Sequence, residues 1–146
     1  MISNFIKILW IAGILALALV AGCSTENTPV AEHVAANVAT HWLHTIDVDS
    51  LDFAYDDVGP VLREQRTRSD WVGNVREARA QLGGVVDRQL ATRRYEFDPP
   101  LHPEGAYVIV SYETDFAKQQ DVEELVLMHL IDGIWRPERY IIDPAP

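Results

Sequence analysis

Apolar residues along the chain follow two different periods, and the change from one to the other divides it. From Thr28-Pro29, where a proline suits the first helical position, Val34, Val38, Trp42, Leu43 and Ile46 recur at helical spacing, and Ala35 and Ala39 fill the same face. The opposite stripe is polar: His33, Asn37, His41 and His44. Asp49-Ser50 is a capping pair for a second, short helix to about Asp57; Gly59-Pro60 breaks it, and residues 60–66 suit another turn. Ser69 is the expected cap of a third helix, whose apolar face is Trp71, Val72, Val75, Ala78 and Leu82, and Gly83-Gly84 ends it.

Beyond those glycines the period drops to two. Strands are expected at about 85–97, 105–116, 122–131 and 134–142. In the second, Val108, Val110, Tyr112, Thr114 and Phe116 share one face and Ser111, Glu113 and Asp115 the other. Asp98 to Gly105, with three prolines, reads as a loop, and Asp132-Gly133 as a tight hairpin turn. Pro137 cannot donate to a sheet ladder, so the last strand is an edge or is distorted there. Three helices followed by a four-stranded antiparallel meander give an α+β domain with the helices on one sheet face.

The first residues carry a different pattern. Lys7, an apolar run from Ile8 to Val20, and the small residues Ala21-Gly22 before the sole cysteine, Cys23, have the three parts of an export signal. The stretch Val20-Ala21-Gly22-Cys23 resembles a bacterial lipoprotein signal, which implies cleavage after residue 22 and acylation of Cys23; an uncleaved membrane anchor is the competing reading. A thiolate is the nucleophile that can accept a lipid through a thioether. Ser24 follows where aspartate would resemble an inner-membrane retention signal, so the expected location is the outer membrane, facing the periplasm. The resulting organisation is a leader over 1–22, a lipidated tether over 23–29, and one domain over 30–146. A chain of 146 residues less a 22-residue leader keeps 124, enough for one core. Its formal charge of −10 becomes −11 once Lys7 is removed, which argues against nucleic acid or anionic lipid surfaces as partners. With Cys23 committed to lipid, no disulfide can form, and stability must come from burial.

Several side chains merit a chemical reading. His41 and His44 lie three apart on one helix and could face one metal, with Asp47 as a third ligand if the helix continues; a solvated stripe is the plainer reading, and no metal or cofactor is expected. Arg79 borders the apolar face of the third helix, Arg88 lies between Val86 and Leu90 in strand parity, and Glu124 shares parity with Val122, Val126, Met128 and Leu130. All three are expected to point inward, where charges persist only when paired. They form either a structural arginine–glutamate network or a ligand site with a spare positive charge, suited to a small carboxylate or phosphate and walled by Trp71 and Tyr112. For an enzyme, His129 is the best imidazole, whereas adjacent Asp56 and Asp57 diverge on a helix. No catalytic residue is assigned.

The order of landmarks resembles one bacterial family, domain of unknown function 4019. They are Trp42, Trp71, Arg79-Ala80-Gln81-Leu82-Gly83, Arg88, Pro103-Glu104-Gly105-Ala106-Tyr107-Val108, Tyr112-Glu113-Thr114-Asp115-Phe116, Glu124-Leu125-Val126 and Asp132-Gly133-Ile134-Trp135-Arg136, spread over nearly all of residues 31–142. Gln81 departs from a usual proline, and Pro137-Glu138-Arg139 replaces a stretch that normally ends in glycine. The resemblance implies secreted or lipid-anchored proteins and a cystatin-like or nuclear-transport-factor-2-like cone, with no established activity. Such a cone hosts isomerases, dehydratases and plain binding modules, so fold alone does not choose. The expected function is a lipid-anchored envelope binding or accessory module without catalysis, whose partner is an envelope protein or a small molecule. A cone-fold enzyme of isomerase, dehydratase or hydrolase type is the alternative, and a structural subunit of an envelope complex is a third.

Overall fold

Helical spacing gives way to alternation at Gly83-Gly84, and the chain changes structure there. A computed structural model describes residues 28–144. Four helices come first: α1 (Thr28–Asp47), α2 (Leu51–Asp57), α3 (Pro60–Gln65) and α4 (Arg68–Leu82). Four strands follow: β1 (Val85–Phe97), β2 (Ala106–Phe116), β3 (Val122–Ile131) and β4 (Ile134–Pro144). Each strand pairs antiparallel with the next in the order β1-β2-β3-β4, so the sheet is a meander and the domain is α+β, as the pattern predicts. The leader, Cys23 and the rest of the expected tether up to residue 27 lie outside the described residues.

Three expectations need correction. Among the described residues there are four helices, because Pro60–Gln65 forms its own element with Pro60 at the start and Gly59 before it. Thr67, not Ser69, caps α4: its hydroxyl accepts the Asp70 N–H at 3.2 Å and donates to the Asp70 carboxylate at 2.7 Å, which fixes the first turn two residues earlier. The buried stripe of α1 is centred on Ala35, Ala36, Ala39, Trp42, Leu43 and Ile46, while Val34 is 43% exposed. Alanines let the helix axis approach the sheet closely, so the stripe rotates toward them. Ser50 begins α2 as expected but makes no capping bond with its side chain.

α1 lies against all four strands, α2 packs on α4, and α3 packs on β4. Trp42, Trp71, Tyr112 and Met128 belong to one buried cluster that fills the space between helices and sheet. Trp42 donates its indole N–H to the Ala54 carbonyl at 2.8 Å, lies 5.9 Å from the Trp71 ring and meets Tyr140 edge-on at 5.5 Å. A buried polar group with its partner supplied in this way adds packing without a desolvation penalty.

β4 is both an edge strand and a distorted one. The register slips between Leu127 and Met128, which face Arg139 and Pro137, so Glu138 is the extra residue of a bulge. The bulge turns Glu138 inward, to 4% exposure, where it accepts the Leu62 N–H of α3 at 3.1 Å. Gly59 N–H bonds to the Pro137 carbonyl beside it. A Cβ at Gly59 would lie 2.2 Å from the Glu138 Oε1, so only glycine admits that carboxylate. The Asp132-Gly133 turn has positive φ at both residues, 50° and 78°, the hairpin geometry that matches strand twist.

Candidate functional site

The expected inward charges do meet. Glu124, fully buried at 0% exposure, accepts from Arg79 Nη2 at 2.9 Å, Arg88 Nε at 2.7 Å, the Thr114 hydroxyl at 2.6 Å and the Tyr140 hydroxyl. A fourth charged residue completes the group. Asp47, in the last turn of α1, pairs with Arg79 at 3.0 Å and takes both terminal nitrogens of Arg88, at 2.7 and 2.9 Å. Two guanidinium groups therefore face two carboxylates, and the spare positive charge expected from the sequence is matched by Asp47. Arg79 also lies 5.0 Å over the Phe116 ring and 5.8 Å over that of Tyr140. The Arg79 Nε is a buried donor with no partner among the described residues.

The local sequence explains these directions. Glu124 shares the inner face of β3 with Val122, Val126 and Met128, all 0% exposed. Arg88 points inward for a different reason from its expected neighbours: β1 slips register around Val86 and again around Ala91, so Val86 turns out at 71% exposure and Leu90 stays at 46%. Burial alone would lower the Arg88 pKa, but the Asp47 hydrogen bonds and the Glu124 charge outweigh it and hold it above its ordinary value. Tyr140 is pushed well above its usual range by burial first and by the Glu124 charge next, so it stays neutral and donates. Tyr112 is raised as well, chiefly by burial.

The two aromatic walls part company. Tyr112 reaches a surface cleft of about 410 Å³ between α1 and β1–β2, beside His41, His44, Asp47, Arg88 and Leu90. Its hydroxyl bonds the Ala36 carbonyl at 3.2 Å and lies 3.0 Å from the Thr40 hydroxyl. Trp71 opens instead on a second recess, of about 450 Å³, between α3, α4 and β4. The two do not face a common site.

α1 does extend to Asp47, but that carboxylate is held by two arginines, and His41 Nδ1 bonds the Asn37 carbonyl at 2.8 Å. Among the described residues no group of three histidine, cysteine, aspartate or glutamate side chains converges as a metal site. His129 sits on the other face of the sheet from the charged group, 6% exposed. Its ring stacks on Tyr107 across the strand pair, 4.1 Å apart and 9° from parallel, and Nδ1 lies 3.3 Å from the Glu138 carboxylate. The loop before β2 closes over it, for a Cβ at Gly105 would stand 2.7 Å from its Nε2, and Tyr107 donates to the Pro103 carbonyl. Asp56 pairs with Arg68 and shares no site with Asp57.

The residues that sequence reasoning missed are Asp47 as a charge partner, Tyr140 as a donor and Glu138 as a buried acid. Tyr140 lies beyond the bulge, opposite Val126, so parity counted from the start of β4 does not reach it, and Glu138 is inward only because of the bulge. Among the described residues no helix is long and apolar enough to cross a membrane.

The fold and its buried charged group define a class: an α+β domain whose helical layer is bolted to an antiparallel meander by paired arginines and acids. The chain belongs to the family described as protein of unknown function (DUF4019), which matches residues 38–140. No curated protein matches it.

Proposed function

We propose that this protein is a lipid-anchored binding or accessory module of the cell envelope that works without catalysis. The observation that carries the reading is the filled interior: Trp42, Trp71, Tyr112 and Met128 occupy the space between helices and sheet as one cluster. A cone-type enzyme needs an acid or base facing a chamber that admits substrate. Here the buried charges are spent on one another, and His129 is stacked on Tyr107 beneath Gly105. The helix-on-meander arrangement is in keeping with a cystatin-like or nuclear-transport-factor-2-like cone whose centre has been packed shut. The anchor is the acylated Cys23, which after cleavage leaves only a few residues before Thr28 and keeps the domain close to the membrane, on the periplasmic side of an outer membrane.

The test is a turnover panel of small lactone, steroid and ester substrates on the purified full-length protein. The expected result is no turnover above that of the His129→Gln variant. Turnover that this variant abolishes would overturn the reading in favour of an enzyme.

A further inference from the structure

We propose that the recess between α3, α4 and β4 binds a small carboxylate with an apolar body, its charge met by Arg66 and Arg139. The proposal deepens the binding-module reading and rests on it, naming the place and the ligand class. The recess measures about 450 Å³, within the size range of small-molecule sites, and its walls include Trp71, Val75, Tyr140 and Ile142.

The charge pattern selects an anion. In a chain with 22 acidic and 12 basic residues, an arginine has many carboxylates to choose from. Arg68 pairs with Asp52 and Asp56, Arg76 with Asp49, Arg94 with Glu96, and Arg79 and Arg88 with Asp47 and Glu124. Arg63 and Arg136 donate only to backbone carbonyls, and Arg66, Arg93 and Arg139 take no side-chain partner among the described residues; of these three, Arg66 and Arg139 line this one recess. Glu138 lines it too, but its oxygens are turned to the Leu62 N–H and to His129, so it does not serve these arginines. A guanidinium offers a planar fork that suits a carboxylate.

A second observation points to the same place. Trp71 lines the recess, and its indole N–H meets no acceptor among the described residues, whereas that of Trp42 is satisfied by Ala54; Arg79 Nε is the one buried donor left without a partner among them, so the Trp71 N–H keeps access to solvent. A tryptophan N–H left free of protein acceptors can donate to a bound molecule. A ligand carrying a carboxylate oxygen and an apolar ring would supply an acceptor for that N–H and a surface for Tyr140. The walls are mixed: Leu62, Trp71, Val75 and Ile142 offer an apolar surface to the body of the ligand, while Gln65 and Asn74 join the two arginines as polar groups around its anionic end.

The experiment titrates phenylacetate and, separately, its neutral analogue phenylacetamide into the full-length protein in detergent, following the Trp71 indole N–H by NMR and the heat by calorimetry. The expected result is saturable millimolar binding of the acid that shifts the Trp71 resonance. The amide should bind at least about tenfold more weakly, R66A and R139A should each weaken the acid by about threefold to tenfold, and R93A, at an exposed arginine on β1, should change nothing. Equal binding of acid and amide, an unchanged affinity in the R66A/R139A double variant, no saturable response, or saturation only by an extended acidic peptide would overturn it. The arginines are exposed, so these variants should fold, which melting curves will check. Failure here leaves the wider reading intact, which falls only to turnover that depends on His129.

Discussion

Replacing Glu124 by glutamine keeps the volume of a fully buried side chain and removes one negative charge from a group of four. In the native protein two guanidinium groups face Glu124 and Asp47, so the charges balance. In Glu124→Gln the amide oxygen still accepts from two or so of the four donors, but its NH2 group confronts guanidinium N–H groups that it cannot pair. Both arginines then depend on Asp47, whose side chain is 18% exposed, and one positive charge is left uncompensated indoors. Breaking a buried pair in this way costs about 3–5 kcal/mol, against about 5–15 kcal/mol for a whole domain. At about 4 °C per kcal/mol for a chain of this size, Tm falls by about 12–20 °C. Urea unfolding followed by tryptophan fluorescence measures it, because Trp42 and Trp71 sit in the core beside Tyr140. The midpoint should drop with the slope unchanged. Adding Arg79→Met removes the surplus charge, and the double variant should be more stable than Glu124→Gln alone. A loss below about 1 kcal/mol for the single variant would refute the claim that this network holds the helices to the sheet.

Thr67→Ala should cost about 1 kcal/mol through loss of the α4 cap, while Ser69→Ala should stay within about 0.5 kcal/mol, both read from urea midpoints. Gly59→Ala should cost about 1–3 kcal/mol by thermal unfolding, because its Cβ would displace a Glu138 carboxylate that is pinned by Leu62 and His129. Tyr140 has a raised pKa in the folded state, so its stabilising effect is complete below the unfolded value of about 10 and is lost as pH climbs from there toward the folded value. Native stability should therefore fall above about pH 10 more steeply than in Tyr140→Phe, and parallel slopes would show that the phenol does not titrate with unfolding.

The elements were legible because each segment keeps one period for its whole length: helical to Leu82, alternating from Val85. The charged cluster was legible in part for the same reason, since Glu124 alternates with Val122 and Val126. Asp47 was not, because it ends a helix three residues after His44 on what reads as a polar stripe, and only the docking of α1 on β1 turns it to the arginines. Pro137 marked a distortion of β4, but periodicity cannot say which residue a bulge ejects, so the inward turn of Glu138 was hidden. Trp71 and Tyr112 were rightly placed on inner faces, yet a face does not say at which end of a helix layer a side chain emerges, and they open on different recesses. Arg66 lies just past α3, in a stretch without periodicity, where no spacing argument reaches.

The account as a whole stands on the anchor, since a module that works at the envelope must be held there. Cells that express the full chain are grown with labelled palmitate, and the protein is recovered from membrane and soluble fractions. Label in the membrane-bound native protein, and none in a Cys23→Ala variant that leaves the membrane once processed, is the predicted result. Label that persists in Cys23→Ala would contradict it.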